Sequence, residues 1–238
     1  MPFFLRILFT NSFFYAKIII IIIITRERRF TMSKKLIITI ARQYGSGGRE
    51  IGELVAMALN IPIYDKLLIT EVAAKGNLNV EVLKRSDESA ANSLLYTLAI
   101  GSNTVGAAMH FGYKMPLSDK LFILQSDAIR GYATEGSGVF IGRCADYVLR
   151  DEPNLLRVFI YGDLDHRKAR VAERHPELKS SQIIDAINKT DKRRSTYYNF
   201  YTGNKWGKFD NYDIAINSSL LGIEGTAEAI CDLAKRMM

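Results

Sequence analysis

The sequence predicts an α/β fold, a three-layer sandwich built on a parallel five-stranded sheet. Three observations lead there. Strand-like and helix-like runs alternate from Lys34 to the C-terminus, and such alternation implies a largely parallel sheet covered on both faces. The strand runs number five. The first of them passes through a glycine turn straight into an amphipathic helix, an arrangement that turns backbone N–H groups and the positive end of a helix toward an anion.

The elements follow in order. LIITIA (36–41) is an apolar, β-branched run of buried-strand length. After the glycine turn, Ile51, Leu54, Val55, Ala58 and Leu59 recur at helical spacing on one face. IPIY (61–64) is a second short strand ending at Asp65. Residues 66 to about 135 read as mainly helical: KLLITEVAAKG, an alanine-rich piece near 88–100, a Gly/Ser loop at 101–118, and DKLFILQSDAIRGYA with Ser118 as N-cap. Strand signals return as GVFIGR (138–143) and LLRVFIY (155–161). Asp163 or Asp165 caps the helix LDHRKARVAERH. A polar, tyrosine-rich stretch fills 179–210, YDIAIN (212–217) is the last strand, and GIEGTAEAICDLAKRMM closes the chain as a helix.

Composition narrows the function classes. The 238 residues are 48% hydrophobic and 24% charged, enough apolar material for a sizeable core. Cys144 and Cys231 lie far apart with no CxxC spacing, and His110, His166 and His175 fall in no metal-ligand pattern. Neither a disulfide framework nor a metal site is indicated, and a reducing, cytoplasmic setting fits. Residues 1–31 differ from the rest: rich in Phe and Ile, they carry five basic side chains and one acidic. The basic flank Arg26, Arg28 and Arg29 suits a membrane anchor, which Arg6, Asn11 and Lys17 interrupt. Translated AT-rich upstream sequence gives the same bias, with Arg28-Arg29 writable as a ribosome-binding AGG-AGG. The second reading is preferred and sets the natural start at Met32. The net charge of +7 then falls to about +3 for 32–238, too mild for a general nucleic-acid grip and compatible with local anionic ligands.

The glycine turn and its flanks read Arg42-Gln43-Tyr44-Gly45-Ser46-Gly47-Gly48-Arg49-Glu50. In the phosphate-loop pattern GxxxxGK[ST] a lysine reaches the phosphates. Here Arg42 stands where the first glycine would be and Gly48 where the lysine would be. Glu50 occupies the place of the magnesium-binding hydroxyl of the GKxT variant. Arg42 and Arg49 are the nearest cations. Arginine keeps the charge and offers bidentate hydrogen bonds, though its planar fork does not reproduce a lysine point charge. The candidate phosphate-binding residues are therefore Arg42, Gly45, Ser46, Gly47, Gly48 and Arg49. A cation in the first turn of a helix sits mildly against the macrodipole, which favours an anionic partner for Arg49. The plain alternatives are a tight turn that binds nothing and a solvated arginine.

The stretches LIITIARQYGSGGREIGELVAMALNIPIYDKLLI, GVFIGRCADYVL and YDIAINSSLLGIEGTAEAI resemble, in this order, the cytidylate kinase-like family. These are relatives of bacterial cytidylate kinases among the P-loop nucleoside monophosphate kinases, and the resemblance covers nearly all of 34–238. It implies a P-loop NTPase sandwich with a helical acceptor-binding insertion at about 66–135 and a lid at about 179–210. It implies that 42–49 holds the donor phosphates of ATP. Arg143, in GRCAD, matches the acceptor-contacting arginine of the GRD motif, and Cys144 replaces that motif's aspartate. The arginine expected shortly after Asp65 is absent, with Glu71 at its approximate place. In the lid, Asp191 and Arg194 match a D-x-x-R spacing, and Lys192 and Arg193 add charge; a solvated helical face is the plain alternative. Asp65 ends a strand, where parallel α/β sheets bind ligands, with helix N-capping as its alternative. Tyr197, Tyr198, Tyr201 and Trp206 would stack on a base or, the preferred use, pack the lid against the body.

The functional expectation is ATP-dependent, Mg2+-requiring phosphoryl transfer to a nucleoside monophosphate or similar small acceptor, CMP-like by default. Arg49, Arg143 and Arg194 are the expected catalytic residues, and Asp65 with Arg143 the acceptor contacts. Transfer between polyanions needs charge neutralisation and an in-line arrangement, and a basic lid supplies cations while excluding water. No nucleic-acid partner is expected, and membrane contact only if residues 1–31 are an anchor. The alternative is a catalytically impaired nucleotide- or phosphate-binding sensor or regulatory protein, motivated by the absent lysine and by Glu50.

Overall fold

The computed structural model describes residues 35–65 and 116–238; residues 1–34 and 66–115, which carry the N-terminal extension and most of the expected insertion, lie outside the described residues. Within them, strands β1 (Ile37–Arg42), β2 (Ile63–Tyr64), β3 (Gly138–Ile141), β4 (Leu155–Tyr161) and β5 (Ile214–Asn217) form one sheet in the order β2-β3-β1-β4-β5. Every neighbouring pair is parallel, and Ile38 of β1 faces Val139 on one side and Leu156 on the other. The described α-helices are α1 (Gly48–Leu59), α2 (Leu117–Glu135), α3 (Ala145–Val148), α4 (Leu164–Arg174), α5 (Ser180–Thr202) and α6 (Ser218–Met237), the last broken at Gly222.

Alternation along the strands sorts the core into two layers, because successive side chains leave opposite faces of a sheet. Ile38 and Ile40, Val139 and Ile141, and Val158 and Ile160 pack with Ile51 and Val55 of α1 and with Ile223 and Ile230 of α6. Ile37 and Phe140 point the other way, onto Ile129 and Ala133 of α2 and Val148 of α3. The sheet is thus covered on both faces, which is why its strands read as continuous apolar runs. From the central β1 the chain first moves to β2 and β3 on one side, then to β4 and β5 on the other. That reversal opens a crevice at the C-terminal ends of the strands.

Some boundaries differ from the sequence reading for local reasons. Strand β3 stops at Ile141 because Gly142 turns left-handed, at φ 71°. Helix α2 starts at Leu117 after Pro116, so Ser118 lies buried inside the first turn and is not the N-cap. Asp163 holds the N-cap position of α4 but makes no capping bond; its carboxylate accepts a hydrogen bond from Asn217 Nδ2 at 3.0 Å. The tyrosine-rich stretch contains one 23-residue helix, α5, whose C-terminal half belongs to the core: Tyr197 and Tyr198 are buried and Tyr201 stacks on Phe122 at 4.1 Å. Among the described residues no helix is long and apolar enough to cross a membrane.

Candidate functional site

The glycine turn joins β1 to α1, with Gly45 at φ 82° and Gly47 at φ 76°. Gly47 is the N-cap of α1 and gives it no side-chain cap, and an uncapped helix start of this kind is suited to an anion. Ser46 is fully buried and braces the turn from within. Its Oγ donates to the carbonyls of Gln43 (2.9 Å) and Ile160 (3.2 Å), and its own carbonyl accepts from Ser218 Oγ at 2.8 Å. The hydroxyl therefore fixes the shape of the turn.

Arg42 explains why no lysine follows the turn. A β-carbon placed on Gly48 would lie 2.6 Å from Arg42 Cβ and 2.9 Å from its Cγ, closer than packed carbon atoms approach. The stem of Arg42 fills the room that the base of a lysine side chain at this position would need. Its guanidinium continues to Gly142, where it occupies the space of an absent β-carbon. Arg42 thus spans from the first turn of α1 to the end of β3.

A cavity opens there, lined by Ala41 and Arg42 from β1, by Gly142, Arg143, Cys144 and Asp146 after β3, and by Arg194, Tyr197, Tyr198 and nearby Trp206. Arg143 and Cys144 both adopt left-handed backbone, at φ 57° and 54°. Non-glycine residues occupy that region at a cost of about 1–2 kcal/mol each, and such strain concentrates at functional positions. Arg143 lies over the Tyr197 ring at 5.5 Å, and Arg194 donates to the carbonyl of Arg42 at 3.0 Å. Arg42, Arg143 and Arg194, expected separately from the sequence, meet around this cavity. Burial pushes the Cys144 thiol up, so it stays neutral. Burial also raises Asp146, outweighing the hydrogen bond its carboxylate accepts from Tyr198 Oη at 2.7 Å.

Helices α4 and α5 close on the turn. Asp191 accepts from the N–H of Tyr44 at 2.7 Å and from Arg167 Nη1 at 2.9 Å, and burial raises its pKa despite these partners and Arg194. Arg167 is 6% exposed, and its backbone carbonyl and Cβ lie against Gly45. Arg170 sets its guanidinium carbon 3.5 Å from where a Gly47 β-carbon would stand. With Arg174 it binds the Glu50 carboxylate, at 2.5 and 3.0 Å.

Other expected residues gather elsewhere. Arg49, 59% exposed on its side chain, pairs with Asp65 at 3.1 Å and Glu53 at 3.0 Å, and neither Arg49 nor Asp65 lines the cavity. Lys192 and Arg193 are exposed while Asp191 and Arg194 face the turn, so the DKRR run divides between solvent and site. Sequence reasoning missed Arg167, Arg170, Arg174 and Asp146. The spacing i, i+3, i+7 of the three arginines in LDHRKARVAERH was the available signal; Asp146 had none beyond its nearness to Arg143. Among the described residues no group of three or more His, Cys, Asp or Glu is placed to hold a metal ion.

The model of the cytidylate kinase-like family matches residues 37–220. No curated protein matches the chain. Among solved structures, an uncharacterized protein from Eubacterium ventriosum ATCC 27560 is 28% identical over 84% of this chain and 99% of its own, with a TM-score of 0.63. A shikimate kinase from Bacteroides thetaiotaomicron is 12% identical over 84% and 98%, TM-score 0.46. A gluconokinase from Sinorhizobium meliloti 1021 is 16% identical over 85% and 95%, TM-score 0.43.

The shared space of residues 42 and 48 is tested by a double-mutant cycle. Gly48→Ala should lower stability to urea by about 1–3 kcal/mol through overpacking, and most of that loss should vanish in an Arg42→Gly background; simple additivity would refute the shared-space account. Asp146 gives a signed pH prediction. Its folded pKa lies above the unfolded value of 3.8, so its contribution is full below that value and is lost as pH rises through the folded pKa. Asp146→Asn should therefore gain stability relative to wild type at neutral pH compared with the low end of the carboxylate range. Parallel urea midpoints at the two pH values measure this, and an equal difference at both would contradict it.

Proposed function

The chain belongs to the cytidylate kinase-like family, and from that premise we propose that it transfers the terminal phosphoryl group of ATP to a nucleoside monophosphate or similar small acceptor, CMP-like by default. The observation that carries the proposal is the convergence of Arg42, Arg143 and Arg194 on one cavity beside an uncapped, glycine-built helix start. One side of Arg42 is that helix start, the other is the cavity. The donor phosphates would lie against the N–H groups of 45–49, and the acceptor in the cavity with Arg143.

In this reading the bond between the γ-phosphorus and its bridging oxygen breaks as an acceptor oxygen attacks from the opposite side, and ADP leaves. The phosphoryl group crosses a region where charge must be offset at every point, and positioned guanidiniums do this without reorganising. Arg42 takes the share a loop lysine would have, from β1 instead of α1. Arg194, tied to the Arg42 carbonyl, brings α5 over the transfer path and helps exclude water. Mg2+ accompanying the nucleotide would offset further charge on the donor phosphates, and among the described residues no group of three or more His, Cys, Asp or Glu would hold the ion by itself. Glu50, at the position of a hydroxyl ligand, is engaged with Arg170 and Arg174. Two free, buried cysteines are compatible with a reducing, cytoplasmic setting.

The test is ADP release from ATP and Mg2+ with a panel of nucleotide and small-molecule acceptors. At least one acceptor should raise ADP above background, and Arg42→Met and Arg143→Ala should each lower that rate about a hundredfold or more while melting cooperatively. A panel without acceptor-dependent ADP, or full turnover in Arg143→Ala, would overturn the assignment.

A further inference from the structure

Glu50 is the polar group of the turn that the proposed chemistry leaves unused. It is the third residue of α1, and its carboxylate lies in the first helical turn, where the macrodipole favours negative charge. One oxygen, Oε2, accepts from Arg170 Nη2 at 2.5 Å and Arg174 Nη2 at 3.0 Å. Arg170 also lies against Gly47, and its buried Nε has no partner among the described residues. Arg167, packed on Gly45 and 6% exposed, likewise has an unpartnered buried Nε. The cations over the turn therefore retain hydrogen-bonding capacity that Glu50 does not satisfy.

The geometry points to Glu50 as a resident anion that a polyphosphate ligand must displace from Arg170 and Arg174. This rests on the phosphate-site reading above and adds what sets its selectivity. Exposure makes the exchange one-sided. Glu50 is 45% exposed on its side chain and Arg170 only 18%, so the carboxylate can swing into water while the guanidinium stays over the turn. A phosphate bound at the turn lies near Glu50, and like charges repel unless the carboxylate moves away. A single orthophosphate gains little beyond what Glu50 already supplies. A chain of two or more phosphates reaches both the N–H groups of the turn and the α4 arginines, and offsets the broken ion pairs. Glu50 thus discriminates by charge and length, favouring nucleoside di- and triphosphates or pyrophosphate over orthophosphate.

The experiment is calorimetric titration of the full chain, wild type, Glu50→Gln and Glu50→Thr, with orthophosphate, pyrophosphate and ATP, with EDTA and with Mg2+. Both variants should bind pyrophosphate and ATP about tenfold tighter than wild type in EDTA, and their preference over orthophosphate should shrink. Arg170→Met should lose pyrophosphate binding about tenfold or more. Binding by wild type with no gain in either variant would overturn this inference and leave the phosphate site standing. A loss of affinity confined to Mg2+ would overturn it in favour of Glu50 as a metal ligand. No binding of any phosphate compound by any form would remove the phosphate-site reading and this inference with it.

Discussion

The space between the end of β1 and the first turn of α1 admits one side chain, and here it belongs to Arg42. Much of the site follows from that exclusion. Residue 48 must be bare because its β-carbon would stand 2.6 Å from that of Arg42. Residue 142 favours glycine because its backbone is left-handed, at φ 71°, and the end of the Arg42 side chain lies where its β-carbon would be. Once Gly142 ends β3 in the left-handed region, Arg143 and Cys144 continue there, and the turn is closed by the Ala145 N–H on the Gly142 carbonyl at 3.1 Å. Cys144 then packs with Tyr197 and Tyr198 of α5. Their burial offsets the backbone strain of the two non-glycine residues, and Arg143 is presented beside Arg42.

The contacts that dock α4 and α5 on the turn hold position more than they add stability. Arg167 and Asp191 are an ion pair with side chains only 7% and 17% exposed. Taking both charges out of water cancels much of their attraction, and the raised pKa of Asp191 reports that cancellation on the acidic side. What the pair does supply is direction. Asp191 uses one oxygen on the Tyr44 N–H and the other on Arg167, so turn, α4 and α5 share a single carboxylate. Its removal would leave a buried guanidinium uncompensated, which is the more costly state.

The fold was legible because the strands carry it unaided. Five apolar runs, alternation with helices and the strand–glycine–helix junction gave a parallel five-stranded sheet, and β1 and β4 were found within a residue of their ends. Boundaries failed where backbone conformation overrode composition, as at Gly142, whose run GVFIGR gives no sign that the chain leaves the sheet after Ile141. Arg42 was legible from its place beside the glycine turn, and Arg143 and Arg194 through the family resemblance, by GRCAD and by the D-x-x-R spacing. Arg49 was placed beside Arg42 among the phosphate-binding residues, and also among the catalytic ones, because it flanks the glycines. Only the direction of the helix separates them, carrying Arg49 outward to Glu53 and Asp65. Arg170 and Arg174 lie 120 and more positions from the turn that they cover, and contacts of that range leave no mark in a local window.

A phosphate responds to the potential where it sits, and that potential falls with distance whatever the sequence position of its source. Moving a cation from α1 to β1 nonetheless changes the site. A lysine in the first turn of α1 would grow from a helix end and point back over the glycines. Arg42 grows from the central strand, paired on both sides by β3 and β4, and its stem is wedged against Gly48 before the guanidinium reaches Gly142. Its charge is therefore fixed between turn and cavity, with less freedom than a lysine stem would have. The α4 arginines cover the outer side of the turn, and Glu50 neutralises part of that side.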